Sequence, residues 1–150
     1  MLWFLIGALC LIIDQLSKIY IVNNFMTGQS IPVINRVFHI TYHLNDGAAF
    51  SLFGGKTAFL TIASIVIILG IVFYMFWKKP TNSLEIFSFT LILSGALGNL
   101  IDRISRGAVV DFLDFTLIKF PVFNFADCFV VVGGVLFFIY VLKFMDMDKN

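Results

Sequence analysis

Four long apolar runs alternate with polar stretches along this chain. They cover residues 2–22, 57–77, 84–101 and 125–142, and runs near 20 residues suffice for a helix to cross a bilayer. The first run is broken in its last third by Asp14, Gln15, Ser17 and Lys18. Asp14 and Lys18 stand i,i+4 with the acid first, the favourable order for a helical pair, and Lys18 lies close enough to the run's end to snorkel. The second run carries no charge and ends on Tyr74 and Trp77, which suit an aromatic belt. Lys78-Lys79-Pro80 then reads as a tight basic turn. Asn82 is placed to N-cap the third run, with Glu85 completing a variant of the capping box. Within that run Ser94 and Gly98 form a small-xxx-small pair that favours close helix packing. The fourth run follows Pro121 and Asn124.

Residues 23–56 follow a different rhythm. From Val37 to Leu44, Phe38, Ile40, Tyr42 and Leu44 alternate with His39, Thr41 and His43. Period two predicts a half-buried strand, approached through Gly28 and Pro32, within a β region over 30–53. Strands with open edges do not face lipid, so this region belongs in water or among headgroups. The two histidines read as solvent-facing. Asn45-Asp46-Gly47 is turn chemistry, and the Gly47-Ala48-Ala49 that follows permits close backbone approach.

Composition agrees with a membrane protein. The 150 residues are 60% hydrophobic and 13% charged, with 19 Phe and a mean hydropathy of +1.00, against about 25% charged in soluble domains. A net charge of +1 gives no case for nucleic acid. Cys10 and Cys128 lie in or beside apolar runs and read as free thiols, with no metal-binding spacing. The apolar N-terminus lacks a basic leader and a cleavage site, and reads as a retained span. The expected fold is an all-α integral membrane protein, one domain with four transmembrane helices and a small β-sheet. Four spans place both termini on one side. Lys and Arg number four there and five on the other side, so the positive-inside rule leaves orientation open. The dense Lys78-Lys79 pair favours its own side as cytoplasmic.

This topology brings polar residues from four parts of the chain to one membrane face: Asp14, Lys18, Asn45, Asn99, Asp102, Arg103, Asp111, Asn124 and Asp127. Charge at the edge of a membrane is costly and makes function the default hypothesis. Asn99 and Arg103 share the last turn of the third run, and Asp102 can pair with Arg103 or Arg106. Asp111 sits in apolar Val109-Val110-Asp111-Phe112. Asp127 falls in the first turn of the fourth run, where Asn124 can cap it. If Asp111 and Asp127 face each other, two carboxyls sharing one proton is the expected state; one activates water while the other donates a proton. No Ser-His or Cys-His nucleophile and no phosphate-binding glycine loop is visible. A proton-coupled carrier would place its charges nearer the bilayer midplane, with repeats. A structural subunit would simply pair its carboxylates with Arg103 and Lys18. Both remain open on the residues alone.

Five motifs carry a resemblance. Asp14-Gln-Leu-Ser-Lys18, Asn45-Asp-Gly-Ala-Ala-Phe-Ser51, Gly95-Ala-Leu-Gly-Asn99-Leu-Ile-Asp102-Arg103, Gly107-Ala-Val-Val-Asp111-Phe and Phe123-Asn-Phe-Ala-Asp127 together closely resemble the lipoprotein signal peptidases, or signal peptidase II, over essentially the whole chain. The resemblance implies a membrane aspartic peptidase with four transmembrane helices and a small extracytoplasmic β-cradle. Such an enzyme cleaves prolipoproteins before a cysteine carrying diacylglyceryl. It implies Asp111 and Asp127 as the catalytic dyad, and Asn45, Asn99, Arg103 and Asn124 as residues that hold substrate and orient the dyad. Asp14, Lys18 and Gly47 are implied as structural support, and Asp102 and Asp114 fall to supporting or incidental roles. It further implies no cofactor or metal, sensitivity to globomycin-type inhibitors, contact with membrane lipids, and a monomer. The polar face would then lie outside a bacterial inner or cytoplasmic membrane, with the termini cytoplasmic.

Overall fold

The computed structural model describes residues 2–47, 57–118 and 120–144. The expected Ala48-Ala49-Phe50-Ser51 approach and the far end of the β region lie outside them. In chain order the elements are α1 (Leu2–Asn24), β1 (Ser30–Ile34), β2 (Phe38–Asn45), α2 (Thr57–Lys78), α3 (Ser83–Arg106), β3 (Val109–Asp114), a 3-10 turn at Thr116–Ile118, and α4 (Phe125–Phe144). All four α-helices are long and apolar enough to cross a membrane.

α3 is the central helix, packed against α1, α2 and α4, and its inward side is buried from Glu85 to Asp102. The other three turn their large side chains outward: Leu9 and Leu16 on α1, Val66 and Phe73 on α2, Val131 and Phe138 on α4 are exposed. Lipid tails are as apolar as these side chains, so helices here associate through close packing and polar contacts. Small residues provide the approach. Ser94 Oγ donates to the Gly7 carbonyl at 3.0 Å across α1 and α3, and Gly95 and Gly98 lie directly against Ala126 of α4.

Local chemistry sets the ends of α3. Asn82 Oδ1 accepts from Leu84 N at 2.9 Å. Glu85 does not close the expected capping box with its side chain; the Tyr74 hydroxyl donates to it at 2.7 Å, joining α2 to α3. α3 runs to Arg106, five residues past the expected Ile101, because Asp102 and Arg106 pair i,i+4 along the last turn at 2.6 Å. Gly107 then caps it with φ 75°, a conformation natural to glycine.

The sheet has strand order β1-β2-β3 and is antiparallel throughout. Pro32 sits in edge strand β1, where no ladder partner is lost. In β2, Tyr42 faces inward, and with Ile21, Val110 and Phe112 it forms a core against the end of α1 and the start of α4. His43 is solvent-facing as expected. His39 is half-buried; its Nδ1 meets Ser30 Oγ at 3.1 Å, while its Nε2 is buried without a partner. β3 pairs His43 with Asp111 and Asn45 with Val109. This register delivers Asn45 and Asp111 to the same end of the sheet.

Candidate active site

Three asparagines organise the polar cluster. Asn124 N-caps α4, accepting from Asp127 N at 3.0 Å. Asp127 Oδ2 in return accepts from Asn124 N at 3.2 Å, a reciprocal capping box at the start of α4. The Asn124 amide nitrogen donates to Asp111 Oδ1 at 2.6 Å. Asp111 and Asp127 therefore hang on one residue, the first by its side chain and the second by its backbone N–H. Asn45 Nδ2 donates to the other Asp111 oxygen at 2.8 Å, and Asn99 Nδ2 donates to Asp127 Oδ1 at 2.7 Å. Gly47 N donates to Asn45 Oδ1 at 2.9 Å, closing the turn expected there.

Asp111 is 1% exposed. Burial, and next the negative charge of Asp127, push its carboxyl up from 3.8 to about 7. The Asn45 and Asn124 hydrogen bonds and the nearby Lys18 charge oppose that shift without cancelling it. A carboxyl so placed can hold a proton near neutrality, while the three amide N–H donors still point at the pair.

Behind the pair lies a buried ion cluster. Lys18 is 0% exposed and does not snorkel. Its ammonium meets Asp14 at 2.9 Å, Asp102 at 3.1 Å and Asn99 Oδ1 at 3.0 Å. Three acceptors inside the helix packing satisfy all three of its protons, so reaching the interface would gain nothing. Asp14 Oδ1 also accepts from Ala126 N at 2.9 Å, one of the free N–H groups at the start of α4. Asp102 accepts from Val110 N at 3.1 Å and pairs with Arg106. It ties α1, α3 and β3 together, the supporting one of the two roles expected of it. Asp114 lies apart, accepting from Thr41 Oγ1 at 2.7 Å.

The pair opens onto a cavity of about 660 Å³. Asn45, Gly47, Asn99, Arg103, Asp111 and Asp127 line its polar end. Ile67 of α2, Ile92 and Ala96 of α3, and Val130 and Val131 of α4 continue it as an apolar groove between helices. Arg103 Nη1 reaches Ser64 Oγ of α2 at 3.5 Å. Ser64 and Cys128 also line the cavity; neither stands out in the sequence, since a lone Ser or Cys in an apolar run is ordinary. Among the described residues, no three His, Cys, Asp or Glu come together to hold a metal ion. Cys10 and Cys128 are free thiols. Two carboxyls held in this way beside an apolar groove are an arrangement suited to activating water for peptide hydrolysis.

A family model described as signal peptidase (SPase) II matches residues 6–143. The chain is 49% identical to the lipoprotein signal peptidase of Clostridioides difficile (strain 630), over 99% of this chain and 100% of that protein. It is 42% identical to that of Brevibacillus brevis, over 100% and 99%, and 40% identical to that of Bacillus subtilis (strain 168), over 100% and 97%. Two solved structures share the fold, both described as a bacterial membrane enzyme structure by the in meso method. One, at 2.3 Å resolution, has a TM-score of 0.88 and 36% identity over 94% of this chain and 87% of that one. The other, at 1.9 Å, has a TM-score of 0.85 and 36% identity over 95% and 93%.

Proposed function

Because the chain belongs to the signal peptidase II family, we propose that it is a bacterial membrane aspartic endopeptidase, cutting prolipoproteins before their diacylglyceryl-modified cysteine. The observation that carries the aspartic reading is the joint suspension of Asp111 and Asp127 on Asn124, at the polar end of an apolar groove.

A signal helix lying in the membrane presents its cleavage site at the interface, where the dyad sits. The groove between α2, α3 and α4 accommodates apolar chain beside it. With Asp127 ionised and Asp111 protonated, Asp127 takes a proton from water as its oxygen attacks the scissile carbonyl. Asp111 gives its proton to the carbonyl oxygen, forming a tetrahedral diol. Asp127 then protonates the departing amide nitrogen, the C–N bond breaks, and a diol proton returns to Asp111. Acid and base both come from the chain, so no cofactor is required. Asn45, Asn99, Arg103 and Asn124 hold the substrate backbone and orient the dyad, and Asp14, Lys18 and Gly47 support the frame. The dyad faces the extracytoplasmic side, the termini are cytoplasmic and the enzyme acts as a monomer.

The test is cleavage of a diacylglyceryl-prolipoprotein by the purified protein in lipid, with and without globomycin. Cleavage that requires the lipid and stops with the inhibitor is expected. Equal cleavage of an unlipidated substrate, or none of the lipidated one, would overturn the reading.

A further inference from the structure

Each asparagine around the dyad could present either end of its amide to a carboxylate. All three present the NH₂ end. The reason lies on their oxygens, each of which rests on a group able only to donate. For Asn45 that group is the Gly47 N–H, and for Asn124 it is the Asp127 N–H. Both are local backbone donors. For Asn99 the donors are Lys18 Nζ at 3.0 Å and Asn124 Nδ2 at 3.2 Å. An ammonium has three donors and no acceptor, so the Asn99 atom facing it must be oxygen and the NH₂ must face Asp127.

Charge balance alone does not require this third contact of Lys18. Asp14 already pairs with Lys18, and Asp102 has Arg106 as a second partner. The remaining Lys18 proton goes to the amide that holds Asp127.

We propose that Lys18 is a positioning residue for the reaction: by fixing the Asn99 amide it compels that side chain to donate to Asp127, which favours the ionised form of Asp127 and holds it in place as the base of the dyad. This rests on the dyad reading above. Without Lys18, the Asn99 oxygen keeps only the longer contact from Asn124. The amide is then free to turn its oxygen toward Asp127, where two acceptors meet and only a proton between them removes the conflict. The charged groups around Asp127 are Asp14 and Lys18 from α1, Arg103 from α3 and Asp111 from β3.

Lys18→Met alone strands Asp14 in the packing, so the experiment uses an Asp14→Asn background, which removes both members of that pair together. In it, Lys18→Met, Asn99→Ala and the combination are compared by kcat and by the pH profile of diacylglyceryl-prolipoprotein cleavage. Melting of each protein is followed separately, and Asp127→Asn is run alongside. A hydrogen bond to a charged group is worth roughly 10- to 100-fold, so Lys18→Met is expected to lower kcat about tenfold or more. The acid limb of the profile should move up by about one pH unit. Both effects should vanish once Asn99 is already alanine, the non-additivity of residues acting through one another. Should Lys18→Met cost the same with and without Asn99, or move melting while leaving the pH profile unchanged, the positioning role is wrong. Should Asp127→Asn remain active, it is the dyad reading that fails. If the Asp14→Asn, Lys18→Met protein does not fold, Asn99→Leu in the otherwise unaltered chain decides. It is uncharged and close to asparagine in shape but cannot donate to Asp127, so the proposal requires the same upward move of the acid limb, and an unmoved profile overturns it.

Discussion

Replacing Gly95 by alanine should damage catalysis far more than stability. A Cβ at Gly95 would fall inside contact distance of the Ala126 carbonyl oxygen and 2.8 Å from Val130 Cγ2. To restore ordinary contact at 3.4 Å, Val130 must retreat by about 0.6 Å, and the carbonyl by more. A backbone oxygen cannot rotate away, so the start of α4 must move off α3. Asp127 is the next residue, and its bond from Asn99 across that gap is 2.7 Å. Lengthening it by about 0.6 Å takes it out of the charge-assisted range of roughly 2.7–2.9 Å. Overpacking costs about 1–3 kcal/mol, partly offset by up to about 1 kcal/mol from replacing a mid-helix glycine. Misplacing a catalytic group by about 1 Å can cost about 100-fold in rate. The expected Gly95→Ala protein is therefore folded, melts only slightly lower, and cleaves about 100-fold more slowly. Gly70→Ala and Gly134→Ala are the controls, since nothing lies within 4 Å of a Cβ at either position. Both should keep full activity. Initial rates of prolipoprotein cleavage, set beside thermal melts in detergent, separate the two quantities. Wild-type activity in Gly95→Ala, or equal damage from Gly134→Ala, would refute the reasoning.

Three other outcomes are expected. Asp111 titrates higher in the folded protein than unfolded, about 7 against 3.8, so its contribution is fully present below pH 3.8 and is lost as pH rises through about 7. The span corresponds to about 4 kcal/mol, and melts across that window should fall with rising pH in the wild type and flatten in Asp111→Asn; parallel curves would contradict this. Asp102→Ala leaves Val110 N–H, Lys18 and Arg106 short of a buried partner. It should cost about 3–5 kcal/mol, read by thermal unfolding, and a loss under 1 kcal/mol would count against the ion cluster as a structural tie. Asn82→Ala removes the cap of α3 and should cost about 1 kcal/mol with cleavage unchanged; a loss of cleavage in the folded protein would show that this end of the helix matters to the site.

The helices were legible because apolar runs of about 20 residues have few alternatives. The Asp14–Lys18 pair was legible from its i,i+4 spacing. The strand β3 was not. Val109-Val110-Asp111-Phe112-Leu113-Asp114 reads apolar, apolar, polar twice over, without the alternation of β2, because both of its faces are used, one by the core and one by the site. Asn99 and Arg103 were legible as one helical turn, but the run on to Arg106 was not, because the spacing left Asp102 two arginines to pair with and only the Arg106 pairing carries the helix that far. The same holds for Lys18. Its reach to Asn99, 81 residues away, depends on a helix crossing that no local pattern encodes. The cluster of Asn45, Asn99, Asn124, Asp111 and Asp127 was expected at one membrane face, and these residues do come together. The amide orientations that link them follow only from the packing.

The central claim is that Asp111 and Asp127 divide the chemistry between them. Single-turnover cleavage of a diacylglyceryl-prolipoprotein by wild type, Asp111→Asn and Asp127→Asn tests it most directly. Asparagine preserves shape and one of the two hydrogen bonds that each carboxylate accepts, but can neither take nor give the proton. Each variant should stay folded and cleave about 1,000-fold more slowly or worse, within the range of general acid–base catalysis. A variant at either position that cleaves at the wild-type rate would contradict the account.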